Sequence, residues 1–409
     1  MSDVKTPMLD ELSGGQWPSF VDQIKQEAVH TPRYNNDMLK QLEISYSDNR
    51  GHWKHGGLVG VTGYGAGIIG RYTDIPNEVP GVAQFHTVRV IPPTGLYYTT
   101  EALRFLMGIW NKYGSGLMNL HGTTGDIIFL GTRTNHLELM WDELAAAGWD
   151  LGGSGSSNRT PSACLGKSRC DAACIDTMDL IHNITNHVMD ELHRPAFPYK
   201  FKIKASGCPN DCVAANARSD LAIIGIWKDD IRINAAELKN YFAKHKDPKQ
   251  GFDMVNHVAL MCPSRCIEVD VNAETLNIRN GECVKCMHCI NVMPKALHVG
   301  EDTGAVILMG AKAPIVEGAL MGTVLVPFMK MDKDDDYQDF KDLLEKTWDY
   351  WEENGQNRER IGETIQRVGL AYFLQQLELE PNPNQINAPR DNPYIFYDEF
   401  FDEEEEAAG

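Results

Sequence analysis

The plainest periodic signal along the chain is in TTEALRFLMGIWNKYG, where apolar residues recur at helical spacing and predict an amphipathic helix. LMNLHGTTGDIIFLGT then reads as strand, turn and strand, HLELMWDELAAAGW as another helix, and FHTVRVI as a strand ahead of them all. The first 50 residues are mixed polar with helical character and are expected to form a packing arm. LGGSGSSNRTPS is a glycine-rich break. After DLAIIGIW comes a lysine-rich connector, AAELKNYFAKHKDPKQ, and beyond residue 330 the chain turns acidic and aromatic, with a helix expected over KDLLEKTWDYWEENG. Strands and helices follow one another in an α+β manner.

These shifts set apart an arm over 1–50, a part over 51–150 that ends at the glycine-rich break, and an acidic, aromatic part over 331–409. A length of 409 residues allows two or three cores. Lys plus Arg is 38 and Asp plus Glu is 57, and the net charge of −19 argues against a nucleic-acid or anionic-membrane surface. An anionic substrate must therefore meet a local basic pocket. MSDVKTPMLDELSGG lacks the apolar core of a secretory signal. The most apolar stretch, Gly304 to Met329, is interrupted by Lys312 and Glu317, so no membrane span is expected and the protein reads as cytoplasmic. In that reducing compartment ten closely grouped cysteines point to metal ligands rather than disulfides.

Gly65, Gly67 and Gly70 match G-x-G-x-x-G, but RYTDIPNEVPG follows, and its prolines cannot make the helix a dinucleotide site needs. The glycines suit instead a backbone that lies close to a large flat ligand.

CVKCMHCINVMP, residues 283–294, is a ferredoxin motif C-x2-C-x2-C-x3-C-P with Met293 where the last cysteine belongs. Upstream, MCPSRCIEV supplies a Cys-Pro at Cys262. In two-cluster ferredoxins the cysteine before proline ligates the cluster of the opposite triple, so Cys262 with Cys283, Cys286 and Cys289 can complete one [4Fe–4S] cluster. Cys266 falls at the motif's alanine and is the rival fourth ligand. Zinc also takes four thiolates, but its sites seldom stack three cysteines two residues apart.

A second set comprises Cys164, Cys170 and Cys174, followed by Cys208 and Cys212 in SGCPNDC. Cys170 and Cys174 would share a face if the segment were helical, so spacing alone admits either as a ligand.

The C-x5-C and C-x3-C spacings resemble the signature of the sirohaem-containing sulfite and nitrite reductases. A ferredoxin insertion behind that signature is characteristic of the alpha subunits of the dissimilatory branch, which the chain resembles over essentially its full length. The resemblance implies an α+β sulfite/nitrite reductase fold: a ferredoxin-like half over 51–150, a sirohaem/[4Fe–4S] domain over 151–235 and 305–330, and a ferredoxin-like [4Fe–4S] domain over 236–304. It implies sirohaem and two [4Fe–4S] clusters. Cys164, Cys170, Cys208 and Cys212 would hold the first cluster, with Cys212 bridging to the sirohaem iron and Cys174 left over.

The resemblance also assigns Arg89, Arg159, Lys202 and Lys204 to the anionic substrate and the macrocycle. Lys202 and Lys204 share a face if they alternate along a strand. Thr123 and Thr124, with Gly65 and Gly67, are expected beside the macrocycle. HGTTGD stands where relatives have a Thr-Thr-Arg-Gln-like turn, so Gly125 and Asp126 replace a basic residue. The implied reaction is the six-electron reduction of sulfite to sulfide in anaerobic respiration. Its alternatives are a subunit with a non-catalytic pocket or an enzyme running backwards in sulfur oxidation. The implied partners are a homologous beta subunit in an α2β2 complex and a small sulfur-carrier protein of gamma type. The aromatic residues of 331–409, among them Trp348, Tyr350, Trp351, Tyr394, Phe396, Tyr397, Phe400 and Phe401, would pack on the beta subunit.

Overall fold

The computed structural model describes residues 4–14, 20–55, 67–122, 124–194, 197–313, 319–382, 385 and 390–391. Gly65, Thr123 and the aromatic residues from Tyr394 onward lie outside them. The chain forms two compact units, residues 1–160 with 185–200, and residues 161–184 with 201–409.

In the first unit three helices, α1 (Pro7–Ser13), α2 (Phe20–Glu27) and α3 (Pro32–Ser47), bury Leu9, Val21, Ile24, Met38 and Leu39 together. The sheet behind the functional residues has strands β1 (Ile68–Ile69), β2 (His86–Val90), β3 (Met118–Leu120) and β4 (Ile127–Thr132), antiparallel in the order β1-β2-β4-β3. Helices α4 (Thr100–Tyr113) and α5 (Thr134–Ala146) cover it. α4 starts where the Thr99 hydroxyl accepts the Ala102 N–H, a side-chain cap for one of the unpaired donors of its first turn. Its apolar stripe, Leu106, Ile109, Trp110 and Tyr113, packs on Val88, Val90, Ile127 and Phe129, and Trp110 stacks on Phe129 at 4.7 Å. Each such aliphatic side chain contributes roughly 1.5–3 kcal/mol by leaving water.

The second unit is built on a five-stranded mixed sheet of β5 (Ser162–Ala163), β6 (Ile203–Ser206), β7 (Leu221–Trp227) and two later strands. β5, β6 and β7 run parallel, and the apolar run LAIIGIW makes β7 a central strand covered on both faces. Between β7 and the next strand of the sheet comes an insertion with helix α6 (Ala235–Lys246), the hairpin β8 (Ile267–Asp270) and β9 (Thr275–Ile278), and the short helix α7 (His288–Val292). α6 is the segment read as a connector. The Asn234 carboxamide caps it, and Leu238, Tyr241 and Phe242 dock it into the insertion's core. The sheet is completed by β10 (Thr303–Met309) and β11 (Thr323–Met329), giving the order β11-β10-β7-β6-β5.

Helices α8 (Gln338–Asn354), α9 (Ile361–Val368) and α10 (Leu370–Gln376) follow. Among the aromatic residues expected to pack on a partner, Trp348, Tyr350 and Trp351 are buried within this unit. Trp348 and Trp351 pack on Phe201 at 5.6 and 5.7 Å, and Tyr350 on Phe373 at 5.3 Å. A buried bidentate pair anchors the start of α9 to the edge of β7: the Arg360 Nε and Nη2 each donate to Asp220 at 2.6 Å. Asp220 also accepts the Lys202 N–H at 2.8 Å, which fixes the chain leading into β6.

Candidate functional site

The first cysteine set is built where β5 and β6 end. Gly207, just beyond β6, donates its N–H to the Cys164 sulfur at 3.1 Å and accepts the Cys174 N–H at 2.6 Å. A Cβ on Gly207 would sit 3.1 Å from the Ala173 Cβ and 3.2 Å from the Gly166 Cα, so a side chain there would crowd the two cysteine segments. The following loop, CPNDC, turns through left-handed residues at Asp211 and Ala214. The Asp211 carboxylate holds that turn by accepting from the Ser206 hydroxyl at 2.7 Å, the Ala215 N–H at 2.8 Å and the Asn216 N–H at 3.0 Å.

Burial raises the Cys208 thiol, and so do Cys170, Cys212 and Cys164 beside it. Burial raises Cys212 as well, with Cys164 and Cys170 adding to the shift. The raised thiols of Cys208 and Cys212 are stable as thiolates only beside a cationic centre, and with Cys164 and Cys170 next to them they make the donor set of a thiolate-bound metal cluster. Cys174 is different. It is 1% exposed and packs beneath Gly207 and Gly225, and burial pushes its thiol up to about 12. The segment from Cys170 to Cys174 is not helical, so the shared-face argument that kept both as ligands does not apply.

The second set surrounds a pocket lined by Cys262, Cys266, Cys283, Cys286 and Cys289, with Trp227, Ile231 and Val258 among its apolar walls. Arg265, Lys285 and Met287, all between the cysteines, have positive φ. Alternating backbone of this kind turns successive N–H groups toward one centre, the concave nest typical of anion and iron–sulfur sites. The Lys285 N–H, for example, donates to the Cys283 sulfur at 3.4 Å. The His288 ring and the His257 carbonyl meet at 2.8 Å and tie the triple-cysteine loop to the segment before Cys262.

The two sulfurs of Cys262 and Cys266 stand 3.5 Å apart. Burial opposes ionisation of Cys262, but hydrogen bonds from the Cys266 backbone and from Ser264 outweigh it and hold this thiol below its ordinary value. Burial raises Cys266. Five cysteines lining one pocket and inward N–H groups fit a cubane in this place.

In the first unit Asp126 is the hub. It is fully buried and accepts from the Arg89 Nη1 at 3.2 Å, from Thr124, and from the Thr160 hydroxyl at 2.6 Å. Asp126, one of the two residues that stand in place of the relatives' Arg-Gln, is therefore the counter-charge that holds Arg89. Gly67 backs the same arginine. Its carbonyl accepts the Arg89 N–H at 2.7 Å, and with φ +77° a Cβ there would lie 2.7 Å from the Gly152 carbonyl oxygen. The Cα side of Gly67 faces protein backbone.

Arg159 donates to the carbonyls of Gly155 at 2.8 Å and Ser157 at 3.3 Å. Beside it, both amide atoms of Asn158 are buried without a hydrogen-bond partner among the described residues, as is the Arg89 Nε. Buried polar atoms left open in this way fit a polar group not included in the chain itself.

In the second unit Lys204 is 4% exposed, donates to the Ser162 hydroxyl at 3.1 Å, and is pulled down to about 8 by burial, with Arg218 adding to the shift. Lys202 lies just before β6 and is half-buried.

A family model described as the nitrite and sulphite reductase 4Fe-4S domain matches residues 154–384, and one for the nitrite/sulfite reductase ferredoxin-like half domain matches residues 80–147. The chain belongs to the nitrite and sulphite reductase family. It is 51% identical to the dissimilatory-type sulfite reductase subunit alpha of Nitratidesulfovibrio vulgaris, across 98% of this chain and 95% of that one. The crystal structure of dissimilatory sulfite reductase I aligns with a TM-score of 0.85 at 47% identity, covering 96% of this chain and 94% of that one. A dissimilatory-type subunit beta, from Archaeoglobus fulgidus, is 24% identical across 90% of this chain and 95% of its own length.

Within this family fold, sequence reasoning did not reach Asp126 as a positioning group or Asp211 as the brace of the Cys212 loop. Asp211 stood in plain view inside the C-x3-C spacing. No local signal could have paired Asp126 with Arg89, 37 residues away.

Proposed function

We propose that the chain is the alpha subunit of a dissimilatory-type sulfite reductase that reduces sulfite to sulfide. The observation that carries this reading is the convergence of Cys164, Cys170, Cys208 and Cys212 at the ends of β5 and β6, in the family's spacing. These four residues would hold one [4Fe–4S] cluster, with Cys212 the one that would face sirohaem. Cys262, Cys283, Cys286 and Cys289 would hold a second. When bound, these groups supply the multi-electron chemistry.

The chain's own residues bind and orient. Arg89, Arg159, Lys202 and Lys204 offset the charge of an anionic substrate and of the macrocycle's carboxylates. Lys204, with its proton lightly held, is suited to give it up as oxygen leaves the substrate as water. Asp126 fixes one guanidinium of this set in advance, so its orientation is settled before substrate arrives.

The working enzyme is a complex with the homologous beta subunit, doubled into an α2β2 assembly. It resides in the cytoplasm, and a small gamma-type sulfur carrier serves as a further partner. Among the described residues no helix is long and apolar enough to cross a membrane.

The test is to purify the complex, record its visible spectrum and iron and acid-labile sulfide content, and follow sulfide release from sulfite with a reduced dye. Haem-type bands, iron for two cubanes per chain and sulfite-dependent sulfide are expected. A colourless zinc protein, or full activity from this chain alone, overturns the reading.

A further inference from the structure

Strand β7 runs past both cysteine sites. At Gly225 its backbone presses on the first: a Cβ there would lie 2.1 Å from the Gly207 carbonyl oxygen and 3.2 Å from the Cys174 Cβ. Gly207 is joined directly to Cys208 and donates to the Cys164 sulfur. Residues two apart on a strand share a face. Trp227 thus projects from the same side as Gly225, and it lines the pocket of Cys262, Cys283, Cys286 and Cys289.

The indole is buried, with the Lys285 ammonium 5.8 Å from its ring centre. On another side Gly300 comes so near that a Cβ would stand 2.7 Å from the Trp227 Cδ1. Cys174, Cys208, Trp227, Cys262 and Cys289 all belong to one cluster of buried apolar residues.

A second link joins the two sites among the described residues. Asn210, in the Cys208–Cys212 loop, and Asn291, on α7, exchange amide hydrogen bonds of 3.0 and 2.8 Å. Both side chains are exposed, so water competes for every one of these bonds and the pair contributes little net ordering. Trp227 and the buried cluster around it are shielded from water, and side chains buried in a protein interior are close-packed.

We propose that Trp227, backed by Gly225 and Gly207, is the relay through which electrons pass between the two cysteine-bound centres. The inference rests on reading both cysteine sets as iron–sulfur sites. In each transfer one electron leaves the group held by Cys262, Cys283, Cys286 and Cys289, which is oxidised, and arrives at the group held by Cys164, Cys170, Cys208 and Cys212, which is reduced. The indole is neither oxidised nor reduced. It supplies electronic coupling, and no bond or proton changes there.

The test uses the whole complex with both centres loaded. Trp227→Phe and Trp227→Leu are compared with Asn210→Ala and Asn291→Ala for three properties: iron and sulfide content, the spin-resonance signal of each cluster, and the rate of electron redistribution after injection from a photosensitiser. Content and both signals are expected to persist in all four variants. Redistribution should slow several-fold in Trp227→Leu, less in Trp227→Phe, and stay unchanged in the two asparagine variants. A parental rate in Trp227→Leu, or equal slowing in the asparagine variants, overturns the relay. Loss of iron from both tryptophan variants also overturns it, by assigning Trp227 to cluster retention. Absence of cluster signals in the parent would instead sink the reading of the cysteine sites themselves.

Discussion

Arg89 and Asp126 form an ion pair, 3.2 Å across, in which the carboxylate is wholly buried and the arginine side chain is 12% exposed. Charges this far from water are stable only while each has the other. Asp126→Ala is therefore expected to cost about 3–5 kcal/mol of stability, the usual result of stranding a buried charge. Asp126→Asn retains an acceptor for Thr160 and should cost less. Denaturant unfolding of the three proteins measures the difference, and a parental midpoint for Asp126→Ala would refute the pairing.

Cys174 and Cys212 stand in opposite environments, the first enclosed under Gly207 and Gly225, the second exposed on the CPNDC loop. Cys174→Ser should leave the iron and sulfide content unchanged at a small cost in stability. Cys212→Ser should lose the coupling between cubane and macrocycle, seen as a change in the visible spectrum. A Cys174 variant short of four irons, beside a Cys164 variant that kept them, would reverse the ligand assignment.

For the fourth ligand of the second site, the hydrogen bonds favour Cys262. Ser264 and the Cys266 N–H support a thiolate at Cys262, whereas Cys266 is buried at 1% exposure. Cys262→Ser is expected to diminish or shift the ferredoxin-type spin-resonance signal, and Cys266→Ser to leave it nearly intact. The opposite pattern would make Cys266 the ligand.

Lys204 predicts two pH effects of opposite sign. Its proton is held with a value of about 8 in the folded chain against the ordinary 10.5. Between these values the unfolded chain binds the proton that the folded chain has lost, so stability rises with pH across that window. Below about 8 the full cost of burying the ammonium is present. Sulfite affinity should move the other way, weakening as the ammonium is lost above about 8. Lys204→Met should abolish both slopes and raise stability at neutral pH while lowering activity. Unfolding and sulfite titration across pH 7 to 10, on the order of the span set by these two values, provide the check.

Local chemistry explains what could be read from the chain alone. Helix α4, helix α5, helix α8 and the β3–β4 turn follow from side-chain periodicity, because the spacing of apolar residues along a helix or strand is set by backbone geometry wherever it docks. The cysteine sets were legible for the same reason: C-x2-C and C-x3-C loops carry their sulfurs close together by covalent reach. Tertiary structure decided the rest. The aromatic stripe of α8 is apolar in any sequence reading, but nothing local says whether it meets a partner or, as found, Phe201 of the same unit. Asp126 has no visible role in its turn until Arg89 and Thr160 are brought to it from other parts of the chain. Trp227 is an ordinary strand residue until the insertion folds back and sets Cys262 and Cys289 around its indole. Periodicity tells that a side chain leaves water, and only long-range packing chooses what it is buried against.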